Sequence, residues 1–395
     1  MEVKIKPRVQ SIDILRGSIM VIMALDHVRD YFHIYAVTDN PTNLATTTPI
    51  LFFTRWITHF CAPTFLFLSG ISACLAGRSK TKKELSIFLI KRGLWLVFAE
   101  VTLVTLALTF DPLYNTIYLL VFWSIGMSMI ILGLLVLTNP TVIIITGAII
   151  LLGHNIFDYI KIPADGTGGK LFNYFVAARA SVISLGGGRN IIIAYMVVPC
   201  AAVMLLGYGA GQLYNAALFT PEKRRKILLV IGTAAIALFI ILRLINQYGD
   251  PSPWLHQKSG TFTFLSFLNA SKSPMSLDFL CMTLGPSILV LALTEQVQNK
   301  FTAFVTVYGK TPFFYFVIHL YLIHILCIIF FFASGHTAKD IKSPDAEFFF
   351  RPAHYGFPLW VVYLVWVFVV LVLYKPCKWF NKYRSTHSQW WLKYI

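Results

Sequence analysis

Charge is what this sequence has least of. Of its 395 residues only 13% are charged, and just 17 are acidic. A soluble domain carries roughly twice that charged fraction, so a solvated globular surface is excluded. Also missing are any CxxC pair, any HxxxH or HExxH pattern, and a Lys-Ser/Thr after Gly186-Gly187-Gly188. Those gaps exclude a thiol redox motif, a helical zinc site and a phosphate loop; the three glycines read as a turn or a close backbone approach. The six cysteines (Cys61, Cys74, Cys200, Cys281, Cys327 and Cys377) lie mostly inside apolar runs, where they act as small hydrophobes. No disulfide framework and no metal are expected. The first apolar run is long, broken by charges and lacks a small-residue cleavage site, so a cleavable signal peptide is not expected.

What the sequence has instead is hydrophobicity, at 57% of residues. A membrane span needs roughly 20 mostly apolar residues. That rule predicts helices near 11–33, 49–77, 87–110, 115–137, 139–160, 190–215, 226–245, 275–298, 303–333 and 355–379. The fourth and fifth are parted only by Asn139-Pro140, as a tight hairpin or one broken element. The expected fold is all-α: a single polytopic transmembrane bundle of about ten spanning helices.

The net charge of +16 would suggest nucleic acid in a soluble protein. Here the basic residues sit in short connections. They fall at Lys4, Lys6 and Arg8, at 78–92, at Lys223–Lys226, at Lys300, and at Lys375, Lys378, Lys382, Arg384 and Lys393. Ten helices put all of these on one side, and the positive-inside rule makes that side, with both termini, cytoplasmic. Membrane lipid is then the expected partner and nucleic acid is not; a homodimer is compatible with the pattern. The opposite loops, about 34–48, 161–189 and 246–274, are longer. The last is dense in polar and aromatic groups, a functional loop or a packed cap.

Ionisable groups at membrane depth face protein or a wet cavity. On the first helix Asp13, Arg16, Met20, Met23, His27 and Asp30 form one stripe at about 100° per residue. Asp13 and Arg16 can pair across one turn. His27 lies roughly 16 Å further along the axis, next to Asp26 and one turn before Asp30, either of which could orient it as a base. Arg55 and His59 share a face of the second helix, and Pro63 suggests a kink lining a cavity. Glu100 has no partner in its own segment. The ninth helix carries Gly309-Lys310-Thr311-Pro312, then Tyr315, His319 and His324. Being five apart, the two histidines cannot point into one narrow pocket.

Several stretches resemble the heparan-α-glucosaminide N-acetyltransferase-like membrane acyltransferases. They are RVQSIDILRGSIMVIMALDHVRDYF, HFCAPTFLFLSGISA, VMLLGYGAG, RLINQYGDPSPW, SFLNASKSPMSLDFLCMTLGP and GKTPFFYFVIHLYLIH, in order along almost the whole chain. The resemblance implies acyl transfer from cytoplasmic acetyl-CoA, or another acyl-CoA, to an amine or hydroxyl of an extracytoplasmic or membrane-bound glycan or glycolipid. It implies donor contacts at Arg16, Asp13, Arg55 and Lys310, and chemistry at His27, Asp26, Asp30, His59 and His319. Acceptor contacts are expected at Asn246, Asp250, Trp254, Asn269 and Lys272, and a cytoplasmic (inner) membrane location. The family has Asn where this chain has His27, and Asp where it has His59. The catalytic histidine therefore stays open among His27, His33 and His59, as does direct transfer against an acyl-histidine. A transporter or flippase would also explain polar stripes and Pro-broken helices, although no inverted repeat is visible; a non-catalytic scaffold is the third reading.

Overall fold

The computed structural model describes residues 9–160, 166–177, 181–342 and 348–393. Lys4, Lys6 and Arg8, used above for orientation, lie outside them. The helices are α1 (Gln10–Phe32), α2 (Pro49–Trp56), α3 (Cys61–Gly77), α4 (Lys82–Ala99), α5 (Thr105–Thr109), α6 (Val121–Leu135), α7 (Pro140–Gly153), α8 (Gly166–Phe172), α9 (Val198–Gly211), α10 (Pro221–Ile245), α11 (Gly260–Leu268), α12 (Leu277–Leu293), α13 (Lys300–Gly309), α14 (Pro312–Ala333) and α15 (Leu359–Thr386). Five stretches are long and apolar enough to cross a membrane by length and composition: Pro49–Gly77, Pro140–Tyr159, Pro221–Ile245, Pro312–Ala333 and Leu359–Thr386.

The charged helix α1 lies largely buried in the bundle. α1 packs against α3, α12, α13, α14 and α15, and Asp13 and Arg29 on it are buried. Between apolar helices in lipid there is little hydrophobic drive, so close backbone approach does the packing. α1 and α13 cross where a Cβ on Gly17 would sit 1.9 Å from the Val305 carbonyl oxygen, and one on Gly309 1.9 Å from that of Asp13. No other residue fits at either position without parting the helices. α3 meets α9, α4 meets α6, and α10 meets α12 in the other extensive pairings.

The chain is not all-α. A small sheet of order β1-β3-β2 joins β1 (Thr116–Leu119), β2 (Ser181–Gly186) and β3 (Arg189–Ile193), parallel between β1 and β3 and antiparallel between β2 and β3. Two predicted helices, 115–137 and 190–215, therefore begin as strands. Their first residues, TIYL and NIII, are mostly β-branched or aromatic, and a short apolar run does not by itself distinguish strand from buried helix. Gly186, Gly187 and Gly188 all have positive φ and open space where a Cβ would be, so they are the hairpin turn and not a close approach.

Other departures are local. The predicted 303–333 helix is two: α13 stops at Gly309, and α14 starts with Pro312 in its first turn, where a missing N–H does no harm. The loop predicted at 246–274 contains α11, started by Ser259 accepting from the Phe262 amide. Asn139-Pro140 separates two helices that both pack on α9, α6 lying against α4 as well. Ahead of Pro63 the α2–α3 stretch tightens to a 3₁₀ segment over Ile57–Phe60, which accommodates the ring against the preceding turn.

Candidate functional site

α1 and α14 bring two histidines into contact. His27 Nδ1 lies 2.9 Å from His319 Nε2, with the rings stacked at 4.9 Å between centroids. His319 Nδ1 lies 3.0 Å from the Tyr315 carbonyl oxygen, one turn back on α14. A carbonyl only accepts, so His319 carries its proton on Nδ1 and presents a lone pair at Nε2. His27 must then donate from Nδ1, which leaves the lone pair on its own Nε2. His319 thus fixes the tautomer of His27. The sequence assigned that role to Asp26 or Asp30, and neither fills it. Asp26 accepts from Arg29 (3.1 Å) and from Arg55, and Asp30 accepts from Arg29 at 2.6 Å.

Two cavities lie near this pair, and neither histidine lines either one. The larger, about 580 Å³, is lined by Arg16, Arg92, Lys310, Arg384 and His387 beside an apolar floor including Met20, Phe122 and Phe316. That volume is in the range of small-molecule sites. The Phe316 ring stands edge-on to His27 at 5.9 Å and packs on His319 at 5.5 Å, so this floor abuts the histidine pair. Arg16 spans three elements here, reaching Asp13 (3.1 Å), the Gly309 carbonyl (3.1 Å) and Ser72 Oγ (2.9 Å). Arg92 makes no ion pair among the described residues, and its Nε is buried without a partner.

The smaller cavity, about 320 Å³, is polar. Asn40, Thr42, Arg55, His59, Asn269 and Lys272 line it, with Ser252, Ala270, Ser271 and Ser273. Arg55 connects it to Asp26, the neighbour of His27 in sequence. Lys272 lies over the Tyr195 ring at 5.7 Å. Burial, with the Arg55 charge beside it, pushes its ammonium down to about 8, so it stays mostly cationic at neutral pH.

The sequence-derived site residues therefore sort unevenly. Arg16 and Lys310 share the large cavity, and Asp13 is buried as the partner of Arg16. Arg55, grouped with them from sequence, lies in the other cavity. α1 runs one way and α2–α3 the other, which carries residues 55–59 to the Asp26 end and Ser69–Ala76 to the Arg16 end. His59 shares the small cavity with Arg55, as its spacing implied. Asn269 lines it too, its amide donating to the Thr42 carbonyl at 3.1 Å.

Asn246, Asp250 and Trp254 line neither cavity. Asn246 ends α10 in the left-handed region, its side chain bonded to both backbone polar groups of Trp254. Asp250 accepts from Ser271 and Ser276, and the Trp254 indole donates to the Arg243 carbonyl at 2.6 Å. They fold the loop that holds Asn269 and Lys272. His33 closes α1, where its carbonyl accepts from Arg351 at 2.6 Å. Glu100 does have a partner: its carboxylate caps α6 through the amides of Phe122 (2.6 Å) and Trp123 (3.1 Å), from the start of a π-helical stretch, Glu100–Val104.

Residues 8–244, more than half of the sequence, match the family model of the heparan-α-glucosaminide N-acetyltransferase catalytic domain. The chain belongs to this family. It is a family of membrane acetyltransferases. No curated protein matches the chain. The family match covers His27, Arg55, His59 and Arg92, whereas Lys272, Lys310 and His319 lie beyond its end. The far half of the histidine pair therefore comes from outside the matched region.

Sequence reasoning missed Arg92, Arg384 and His387 as cavity residues, counting the two arginines as topology charges. Arg92 did carry a signal, since it lies inside the apolar run 87–110 and not ahead of it. Tyr195 and the serines of the small cavity carried none.

Proposed function

We propose that the protein is an acyl-CoA-dependent transferase, using acetyl-CoA as donor and an amine or hydroxyl of a glycan or glycolipid as acceptor. The observation that supports this reading is the His27–His319 pair, which meets the large basic cavity through Phe316 and neighbours Asp26, the ion-pair partner of Arg55 in the small polar one. The cations Arg16, Arg92, Lys310 and Arg384 suit the phosphates of coenzyme A, and the apolar floor suits its pantetheine arm. The acceptor enters the small cavity. His27 Nε2 takes the proton from the acceptor as its oxygen or nitrogen attacks the thioester carbonyl carbon. The C–S bond breaks, and the thiolate leaves with the proton that His27 returns. Asp26, held by Arg29 and Arg55, neighbours the imidazolium that forms.

In the membrane, about ten segments cross as a single domain, with both termini and the large cavity cytoplasmic and the small cavity extracytoplasmic, in a cytoplasmic (inner) membrane. The test is sealed vesicles of both orientations given labelled acetyl-CoA. Label should reach the glycan or lipid fraction only where the large cavity faces the donor. Undetectable binding at millimolar acetyl-CoA would sink the reading and favour a transporter, for which two opposed cavities are also natural. Label stably attached to histidine without acceptor would overturn direct transfer in favour of an acyl-enzyme.

A further inference from the structure

We propose that the small cavity is an anion site: it holds a carboxylate or phosphate group on the acceptor, so the acceptor is an anionic sugar or glycolipid and not a neutral one. The word acceptor rests on the transferase reading; the anion site does not.

Charge and hydrogen bonding both point there. Arg55, His59 and Lys272 line the cavity, and no lining residue is a carboxylate. The carboxylates beside it are already engaged. Asp26 faces Arg29 and Arg55, and Asp30 faces Arg29. Asp250 is taken up by Ser271 and Ser276. Lys272 is the cation left over: among the described residues it forms no ion pair, and its ammonium lies over the Tyr195 ring. A half-buried ammonium facing the Arg55 charge with no ion-pair partner of its own is favoured by a negative group beside it.

His59 supplies an independent observation. It is only 5% exposed, yet its Nδ1 is buried without a hydrogen-bond partner. Buried polar atoms are nearly always paired, and an orphan destabilises by about 1–3 kcal/mol. His59 and Lys272 both line the cavity, so an oxygen of a bound anion can lie between them. The cavity is small, about 320 Å³, so the charge belongs on the terminal group of the acceptor, beside the atom to be acylated.

The experiment is binding, without any acyl-CoA, to purified protein in nanodiscs by titration calorimetry. The probes are glucuronate for a carboxylate source, glucose 6-phosphate for a phosphate source, and glucose as the neutral control. At least one charged sugar should bind about tenfold or more tightly than glucose, as a charge-assisted hydrogen bond provides, and the tighter of the two identifies the anion. The preference should vanish in Lys272→Met and persist in Lys272→Arg, with unchanged thermal melting marking both as folded. Equal binding of charged and neutral sugars overturns the proposal, as does no binding of either charged sugar at about 10 mM or a preference that survives Lys272→Met. Because no donor is present, an anion preference without acyl transfer would sink the transferase reading alone, and acyl transfer without the preference would sink the anion site alone.

Discussion

His319 and His324 occupy the same helix, five residues apart, and both are fully buried. Their surroundings are opposite. His324 points both ring nitrogens at backbone carbonyls, Ala107 at 3.1 Å and Phe349 at 3.0 Å, and is walled in by the rings of Phe110 and Tyr31. It pins α5 and the 348–350 turn to α14 and has no nitrogen left for chemistry. His319 gives one nitrogen to a carbonyl and the other to His27. A buried histidine becomes a chemical group when one of its two nitrogens meets another group that can change its protonation, and a structural group when both meet carbonyls.

That contrast can be broken by substitution. The largest effect is expected at the group the pair serves. His27→Ala should lower transfer of labelled acetyl at least ~100-fold, the loss of a general base, with thermal melting unchanged; turnover near wild type would remove the pair from the chemistry. Next comes His319→Ala, expected to lose roughly 10–100-fold, the range for groups that orient a reactive imidazole. His319→Gln, whose amide oxygen can still accept from His27, should recover part of that loss. If alanine and glutamine are equally impaired, tautomer control by His319 is wrong.

A smaller effect bounds the pair on its donor side. Arg92→Ala should raise KM for acetyl-CoA about tenfold with kcat kept, as for one charge-assisted contact to phosphate. A fall in kcat instead would place Arg92 in the transition state. His324→Ala should leave activity per folded molecule within about twofold while lowering thermal stability by about 1–3 kcal/mol, because it strands the buried carbonyl that accepts its one N–H. Least of all should follow from Tyr315→Phe. The Tyr315 hydroxyl is buried without a partner, and it is the backbone carbonyl that meets His319. Kinetics measured side by side should not separate this variant from wild type, and a clear loss would show that the hydroxyl takes part.

How far the site was legible follows the same division. The Asp13–Arg16 pair could be read directly, because partners one turn apart on a helix need no tertiary information. The joint orientation of Arg55 and His59 was equally local. The partner of Asp26 was not: adjacency to His27 suggested one bond, but consecutive helical residues point about 100° apart, and Asp26 turned to arginines on α1 and α2. Lys310 was found through the Gly-Lys-Thr-Pro break, whereas Arg92 and Arg384 were hidden among charges that also satisfy the positive-inside rule.

By itself the sequence determined that this chain is a membrane protein with a charged helix turned inward. Each apolar run and the stripe on α1 is a local property, dictated by what hydrocarbon tolerates next to a single segment. Only the tertiary structure decided which histidine meets which, that Arg55 and Arg16 belong to different cavities, and that Lys272 and His59 are left wanting a partner. Those contacts depend on where separate helices cross, as at Gly17 and Gly309. A crossing is set by backbone-to-backbone fit between segments nearly 300 residues apart, and neither segment carries a mark of the other.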